Sequence, residues 1–171
     1  MVQMALEMSG EIDPNIPISM LDFLADKTAP IDVRLAIING LGWNFYNTTT
    51  GSKLYEHLIK SYKVQSSEEL IEKLDAGTLA VYAYAVAMSN YFEVTEAMKL
   101  ARRAAEKNND NSFSVKFVAS LIAAQIWLDL DWSMISKGVN NSLNDSTLQR
   151  DMRQEAIDRV MRYINLYSII Q

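Results

Sequence analysis

Apolar side chains recur at helical spacing through most of this 171-residue chain, and this spacing constrains the fold more than any other feature. The segment that begins at Ile31, for example, continues with Val33, Ile37, Ile38 and Leu41. No segment sustains the alternation of apolar and polar residues that is typical of a half-buried strand. Glycine and proline are scarce, at six and three residues, whereas sandwiches and barrels need many turn residues. The sequence therefore predicts an all-α fold.

The chain is predicted to contain a short arm and one helical domain. Residues 1–16 show no sustained helical pattern, and Asp-Pro and Ile-Pro pairs interrupt residues 13–17. We therefore predict an irregular N-terminal arm over residues 1–16. The remaining length suits one core, since domains usually contain roughly 100–200 residues. We predict a single helical domain over residues 17–171, built from roughly seven to nine helices in antiparallel pairs.

A capping pattern and apolar spacing predict where two of the helices begin and end. The pattern Ser66-x-x-Glu69 is that of a capping box, which predicts the start of a short helix. The helix that begins at Ile31 is predicted to continue through Gly42 to Phe45, because apolar residues keep their helical spacing up to that point.

The C-terminal segment is predicted to form one amphipathic helix over residues 146–170. Its apolar stripe consists of Leu148, Met152, Ala156, Val160, Ile164 and Tyr167. Such a helix suits a cap on the last helix pair, because a helical array must cover its final apolar face. Further apolar residues lie outside this stripe, namely Tyr163, Leu166, Ile169 and Ile170. The alternative is therefore that the helix forms the seam of a homodimer, so both a monomer and a homodimer remain open.

Several helices form candidate pairs of similar length, and the segment from Leu79 to Asn111 is the clearest pair. Together with the local pattern Leu41-Gly42-x-x-Phe45, it resembles the tetratricopeptide-repeat family over about residues 33–143. That family has a 34-residue unit with the pattern W-x2-L-G-x2-Y, followed by A-x3-F and a proline. The resemblance implies a right-handed array of helix pairs with a concave binding side. An irregular helical bundle is the alternative.

The resemblance assigns small residues to points of close helix approach. These are Ala85, Ala97 and Ala104 in one unit, and Ala119 and Gly138 one period later. Other positions depart from the family pattern, because the tryptophan, phenylalanine and proline positions hold Val81, Ala101 and Asn109, and Asp131 replaces a buried alanine.

Composition excludes several kinds of catalytic and metal site. The chain has no cysteine, and His57 is its only histidine. A ferritin-like di-iron site and a His-Glu-x-x-His metalloprotease each need two histidines, so neither can form. Asp129 and Asp131 point in different directions on a helix and are expected to cap it or to meet solvent. No glycine-rich phosphate-binding motif is present. We predict a protein without catalytic residues, metal or other cofactor.

The net charge of −5 is unevenly distributed along the chain. Residues 1–80 carry 6 basic and 11 acidic side chains, whereas residues 81–171 carry 10 of each. An acidic surface repels phosphate groups, so we expect no nucleic-acid partner. The longest uncharged stretch, residues 76–92, is too short and too polar to span a membrane. The N-terminus shows no signal-peptide pattern, and we expect a cytoplasmic protein without a membrane partner.

Aromatic and amide side chains provide the candidate binding site. If the first helix of each pair lines the concave side, its exposed positions carry Asn39, Trp43, Tyr46, Asn47, Tyr82, Ser89, Asn90, Lys116 and Ser120. Amides can bond a partner's backbone while aromatic rings cover its side chains. The alternative is that the aromatic residues belong to the core.

Two functions are favoured by these observations, and an enzyme whose catalytic pocket uses only Glu, Asp, Tyr and Lys is the remaining alternative. The first is a protein-interaction module that binds a peptide or a partner helix in the predicted groove. The second is a small acidic inhibitor or immunity-type protein that blocks a basic partner enzyme through its acidic first half.

Overall fold

Ten α-helices form the fold in the computed structural model, which describes residues 1–43, 46–128 and 130–168, apart from the side chains of Trp132, Tyr167 and Ser168. In chain order they are α1 (Val2–Glu7), α2 (Ile18–Ala25), α3 (Ile31–Leu41), α4 (Thr50–Tyr62), α5 (Ser67–Lys73), α6 (Ala76–Ser89), α7 (Thr95–Glu106), α8 (Phe113–Ile126), α9 (Trp132–Leu143) and α10 (Gln154–Ile164). A 3-10 turn, Asn165–Ser168, follows α10. The described residues contain no strand beyond one isolated bridge, so the predicted all-α class is confirmed.

The N-terminal segment is helical at Val2–Glu7, where an irregular arm was expected. This helix packs on α3, and Ala5 is fully buried there. A Cβ added to Gly40 would lie only 3.2 Å from Ala5 Cβ, so the glycine allows the two helices to approach closely. The prediction for residues 1–16 was wrong at this helix because a single buried residue leaves too little periodic pattern to read. With α1 included, the described helices exceed the expected number.

Helix α3 ends at Leu41 and does not contain Gly42 as predicted. Gly42 has φ +77°, a backbone conformation that residues with side chains rarely adopt. A Cβ at this position would also lie 2.7 Å from Ser9 Oγ. The glycine therefore terminates the helix, and the stop signal outweighs the apolar spacing that continues past it. The remainder of the predicted helix, residues 44–45, lies outside the described residues.

Side-chain caps fix the starts of several helices. Ser66 Oγ accepts from Glu69 N at 3.1 Å, as the predicted capping box requires, while Glu69 Oε2 accepts from Gln65 N at 3.1 Å. Asp131 Oδ1 accepts from Ser133 Oγ at 2.7 Å and from Ser133 N at 2.9 Å at the start of α9, and these hydrogen bonds lower the pKa of Asp131. Its predicted role as a cap is confirmed, whereas Asp129 lies outside the described residues.

The core consists of two clusters of buried side chains that share α8. The first cluster contains buried residues of α1 to α7, together with Val115, Val118 and Ile122 of α8. The second cluster contains Phe113 and Phe117 of α8 with buried residues of α9 and α10. Because α8 presents one face to each cluster, it holds the two parts of the molecule together.

The C-terminal helix begins at Gln154, eight residues later than the predicted start at Ser146. The preceding segment instead forms a loop that is tied to the start of α8. Gln149 N donates to Asn111 O at 2.8 Å, and Phe113 N donates to Gln149 O at 2.9 Å. Leu148 is nevertheless buried in the second cluster. Its predicted burial is therefore confirmed, whereas its predicted helical conformation was wrong. Residues 169–170 of the predicted helix lie outside the described residues.

The hairpins α6–α7 and α8–α9 follow one another with an offset of 37 residues, since α6 begins at residue 76 and α8 at 113, while α7 begins at 95 and α9 at 132. The tetratricopeptide period is 34. Ala85, Ala97 and Ala104 are fully buried, but a Cβ added to Gly138 would meet no atom within 4 Å. Close helix approach therefore occurs in the first hairpin and is not required at Gly138.

Candidate binding cleft

A partly open cleft of about 350 Å³ lies where the two clusters meet. Its walls come from α3 and α6 on one side and from α8, α9 and α10 on the other. The lining is predominantly apolar, as is typical of ligand-binding pockets. The residues that form most of this apolar surface are Leu35, Met88, Phe117, Leu121, Ile135 and Val160.

Helical periodicity directs these side chains into the cleft. Residues four apart lie on the same face of a helix, so Phe117, Leu121 and Gln125 of α8 form one row along the wall. Leu35 and Asn39 form the corresponding row on α3. The opposite face of α8 packs into the first cluster. The row that contains Leu121 is therefore the face of α8 that lines the cleft.

Four aromatic side chains, Trp43, Tyr91, Phe92 and Tyr163, form an aromatic rim at the edge of the cleft. The Trp43 and Tyr91 rings stack with centroids 4.7 Å apart, and the Phe92 ring meets the Trp43 ring edge-on at 6.0 Å. Trp43 is 39% exposed and Phe92 58% exposed. The rim therefore presents packed aromatic surface to solvent beside the opening.

Two contacts connect the walls across the cleft. The carboxylate Oδ2 of Asp32, on α3, accepts from Arg153 Nε at 2.6 Å and from Arg153 N at 3.3 Å, just before α10 begins. Asp32 is buried, whereas the Arg153 side chain is largely exposed. At the rim, the hydroxyls of Tyr91 and Tyr163 lie 3.4 Å apart. These two polar contacts attach α10 and the residue before it to the first cluster.

Polar groups inside the cleft are few. Tyr84 donates its hydroxyl to Asn39 Oδ1 at 3.1 Å, and burial raises the pKa of Tyr84 to about 12. Gln125 Oε1 is buried and accepts no hydrogen bond from any described residue. Arg159 lines the opening, is exposed, and lies within salt-bridge distance of no carboxylate in the described ranges. The Asn39–Tyr84 pair is therefore satisfied, whereas Gln125 and Arg159 are available to a ligand.

The structure places only Asn39 and Trp43 of the nine predicted groove residues at the cleft. Tyr46 and Asn47 are exposed but lie outside its lining. Ser89 was expected to be exposed and is instead buried, which corrects that expectation. Its hydroxyl accepts from Gly51 N and donates to Ala85 O, both at 2.8 Å, so Ser89 joins α4 to α6.

The remaining predicted residues lie elsewhere on the molecule. Tyr82 stacks on Tyr55 of α4, with ring centroids 6.1 Å apart, on the side of α6 away from Tyr84. Two residues apart on a helix point in different directions, so Tyr82 and the cleft cannot share one surface. Half-buried residues outside the cleft lining complete the set, namely Asn90, Lys116 and Ser120.

Sequence reasoning missed Gln125 and the cleft face of α8. The available signal was an amide four residues after Leu121 and eight after Phe117, on an otherwise apolar helical row. Such a placement predicts a buried polar group that needs a partner. The resemblance to helical repeats instead indicated exposed positions on the first helix of each pair.

Few side chains that can transfer a proton lie in the described lining of the cleft. Its described lining contains no histidine, and its one carboxylate, Asp32, is held by Arg153. His57 lies on α4, where Nε2 is 3.0 Å from Asp22 Oδ1 without the alignment of a hydrogen bond. No group of potential metal ligands occurs among the residues that the structure describes.

The fold and this site together define an all-α domain with an apolar cleft between two helical clusters. No protein-family model matches the chain, and neither a curated protein nor a solved structure shows significant similarity to it. In the described ranges, every helix is too short or too polar to cross a membrane.

Proposed function

We propose that this protein is a non-catalytic binding module that holds a peptide segment of a protein partner in the cleft between the two clusters. The observation that carries the proposal is the aromatic rim beside an apolar opening. Aromatic side chains beside well-packed pockets are typical of the residues that dominate protein–protein binding energy. Their exposure has a cost in water that a bound partner would remove.

A peptide fits this site better than a small molecule held inside the cleft. Phe92 is 58% exposed and lies outside the cleft lining, although it packs against Trp43. A small ligand within the opening would leave Phe92 in solvent, whereas a peptide that continues across the rim would cover it. The cleft would then take one anchoring side chain, and the rim would contact the residues next to it.

Peptide selection with matched aromatic variants tests this function. Peptides selected from a random library on the full-length protein should lose at least about tenfold in affinity with Trp43→Ala, the size of a hot-spot effect. Tyr46→Ala is the control, because Tyr46 is 71% exposed and lies outside the cleft lining. Val160→Lys tests the opposite wall, since lysine can extend its charge to solvent from a half-buried position. Unchanged affinity in both cleft variants, with native circular dichroism, rejects the proposal.

The acidic inhibitor function is the second candidate, and the excess of acidic residues in the first half favours it. Several of those carboxylates already lie beside cations of the same chain, as in the pairs Asp13–Lys53, Glu69–Lys73 and Glu72–Arg103. Such pairing weakens the field that would attract a basic enzyme. An association rate that falls steeply with salt would favour this candidate, whereas a rate that depends little on salt would favour the cleft.

A further inference from the structure

An unpaired acceptor in the cleft constrains the chemistry of whatever binds there. Gln125 Oε1 is buried and accepts no hydrogen bond from any described residue, although Gln125 lines the cleft. A buried polar atom without a partner costs stability, and most such atoms in proteins are satisfied. Each such exception requires an explanation, and a bound group that supplies the missing donor is one.

Water is a poor substitute for that missing donor. An ordered buried water needs roughly two to four polar partners. The lining residues closest to Gln125 in the sequence are Leu121 and Ala124 of α8 and Leu128 just after it, whose side chains are apolar. A donor carried into the cleft by the occupant would satisfy Gln125 without requiring further polar groups.

The size and walls of the cleft indicate an aromatic occupant. A volume of about 350 Å³ lies at the lower end of ligand-pocket sizes, which suits one large side chain rather than a length of peptide. Phe117, Tyr84 and Tyr91 contribute rings to the lining, and aromatic rings pack favourably against one another in offset or edge-to-face arrangements.

The charge at the opening adds a second requirement. Arg159 is exposed there and forms no salt bridge with a described residue, even though Glu155 precedes it by one helical turn. A carboxylate next to the aromatic group of the occupant would complement this guanidinium with a charge-assisted hydrogen bond.

We propose that the cleft binds a tryptophan or tyrosine side chain of the partner peptide, that its N–H or O–H donates to Gln125 Oε1, and that a carboxylate beside it pairs with Arg159. This inference rests on the proposed peptide-binding function and names the residue that anchors the peptide. Phenylalanine, which lacks a donor, is the occupant that the site discriminates against.

Titration of the isotope-labelled full-length protein with three tryptophan analogues, followed by NMR, tests the donor and the carboxylate separately. N-acetyltryptophanamide should bind about tenfold more tightly than its 1-methylindole derivative, which has lost the N–H donor. N-acetyltryptophan, which adds a carboxylate, should bind more tightly than the amide. Saturable shifts of cleft resonances report the binding in each case.

Two variants assign these preferences to residues. Gln125→Met removes the acceptor at similar size, so the amide and its methylated derivative should bind within about twofold of each other. Arg159→Gln should abolish the preference for the carboxylate. Gln154→Met and Arg162→Gln are the matched controls, since both residues are exposed on α10 and lie outside the cleft lining, and both preferences should persist in them.

The fold provides an independent check, because Gln125→Met replaces an unpaired polar group with an apolar one. Its melting temperature should equal or exceed that of the original protein, and a fall of several degrees would show that Gln125 has a structural partner and overturn the proposal. Equal binding of the methylated and unmethylated amides, or no binding of any probe, also overturns it. A selected peptide that depends on Trp43 but not on Gln125 leaves the peptide-binding function intact and rejects this anchor alone.

Discussion

The two clusters differ in how closely their helices pack, and the cleft lies where close packing ends. In the first cluster, α6 buries ten of its fourteen residues, whereas α10 in the second cluster buries three of eleven. Helix α6 is therefore surrounded by other helices, while α10 covers the molecule from one side. The comparison teaches that a cleft can arise from an incompletely packed seam and does not need a repeated concave face.

Small residues account for the closer packing of the first cluster. Four alanines of α6 are almost completely buried, namely Ala80, Ala83, Ala85 and Ala87. A Cβ added to Gly51 would lie 3.2 Å from Val86 Cα and 3.4 Å from Ala85 O. Backbones that approach this closely leave little space, which is why the cleft opens beside α10 instead.

The largest expected difference between the clusters concerns buried isoleucines. Ile37→Ala in the first cluster should lower the free energy of unfolding by about 4 kcal/mol, and Ile157→Ala in the second by about 2 kcal/mol. Both side chains are buried, but the region around Ile157 can relax towards the cleft. Denaturant unfolding measures both values. Equal losses of unfolding free energy would show that the two clusters are packed equally tightly.

Matched glycine substitutions should change stability in opposite directions. Gly51→Ala places a methyl group against the backbone of α6 and should cost about 1–2 kcal/mol. Gly138→Ala lies within α9, where an added Cβ meets no atom within 4 Å, and should stabilise the protein by about 0.5–1 kcal/mol through better helix propensity. Thermal unfolding distinguishes these outcomes, and destabilisation by Gly138→Ala would show that α9 is packed as tightly as α4.

The contact between Asp32 and Arg153 should stabilise the seam. Arg153→Ala leaves the buried Asp32 carboxylate without its cation, and should cost about 1–2 kcal/mol, less than a fully buried pair because Arg153 is 63% exposed. Amide hydrogen exchange should accelerate in α10 more than in α6, since this contact joins α10 to the first cluster.

Arg162→Ala is the control for this experiment, because Arg162 is exposed on α10 and forms no salt bridge with a described residue. Adding Asp32→Asn to Arg153→Ala should recover part of the lost stability, since the remaining side chain is then neutral. If Arg153→Ala and Arg162→Ala behave alike, the Asp32 contact does not hold the two clusters together.

The smallest expected effect appears only at high pH. Burial raises the pKa values of Tyr82 and Tyr84 to about 12, above the value of about 10 in an unfolded chain. Because the folded values are higher, the stabilising contribution is complete below about pH 10 and is lost as the pH rises towards 12. Ultraviolet titration of Tyr84→Phe should show one late-titrating tyrosine fewer, and an unchanged titration curve would place Tyr84 in solvent.

The all-α class could be predicted from the sequence because helical spacing and scarce turn residues act locally. The cap at Ser66 follows from adjacent residues, and the structure has it where the sequence predicts it. The late start of α10 could not be predicted, because it depends on hydrogen bonds between Gln149 and residues more than thirty positions earlier. Leu148 is buried, as its place in the predicted apolar stripe requires. Hydrogen bonds to distant residues nevertheless hold its segment in a loop instead of a helix.

The candidate site was harder to predict than the fold for the same reason. Asn39 and Trp43 could be found as polar and aromatic residues at the end of one helix. Gln125 lines the same cleft only because α8 packs between the two clusters, and a sequence does not show which helices meet. Tyr82 and Tyr84 are only two positions apart on α6, yet they point in different directions. The Tyr82 ring packs on Tyr55 of α4, whereas Tyr84 lines the cleft.

The most direct test of the account is to map where a selected peptide binds by NMR. We expect shift changes and peptide contacts on both walls of the cleft, at Asn39 of α3, Leu121 and Gln125 of α8, and Val160 of α10. Such a pattern would show that binding requires both clusters. Contacts confined to the Tyr55–Tyr82 face of α4 and α6, with the cleft resonances unchanged, would contradict the central claim.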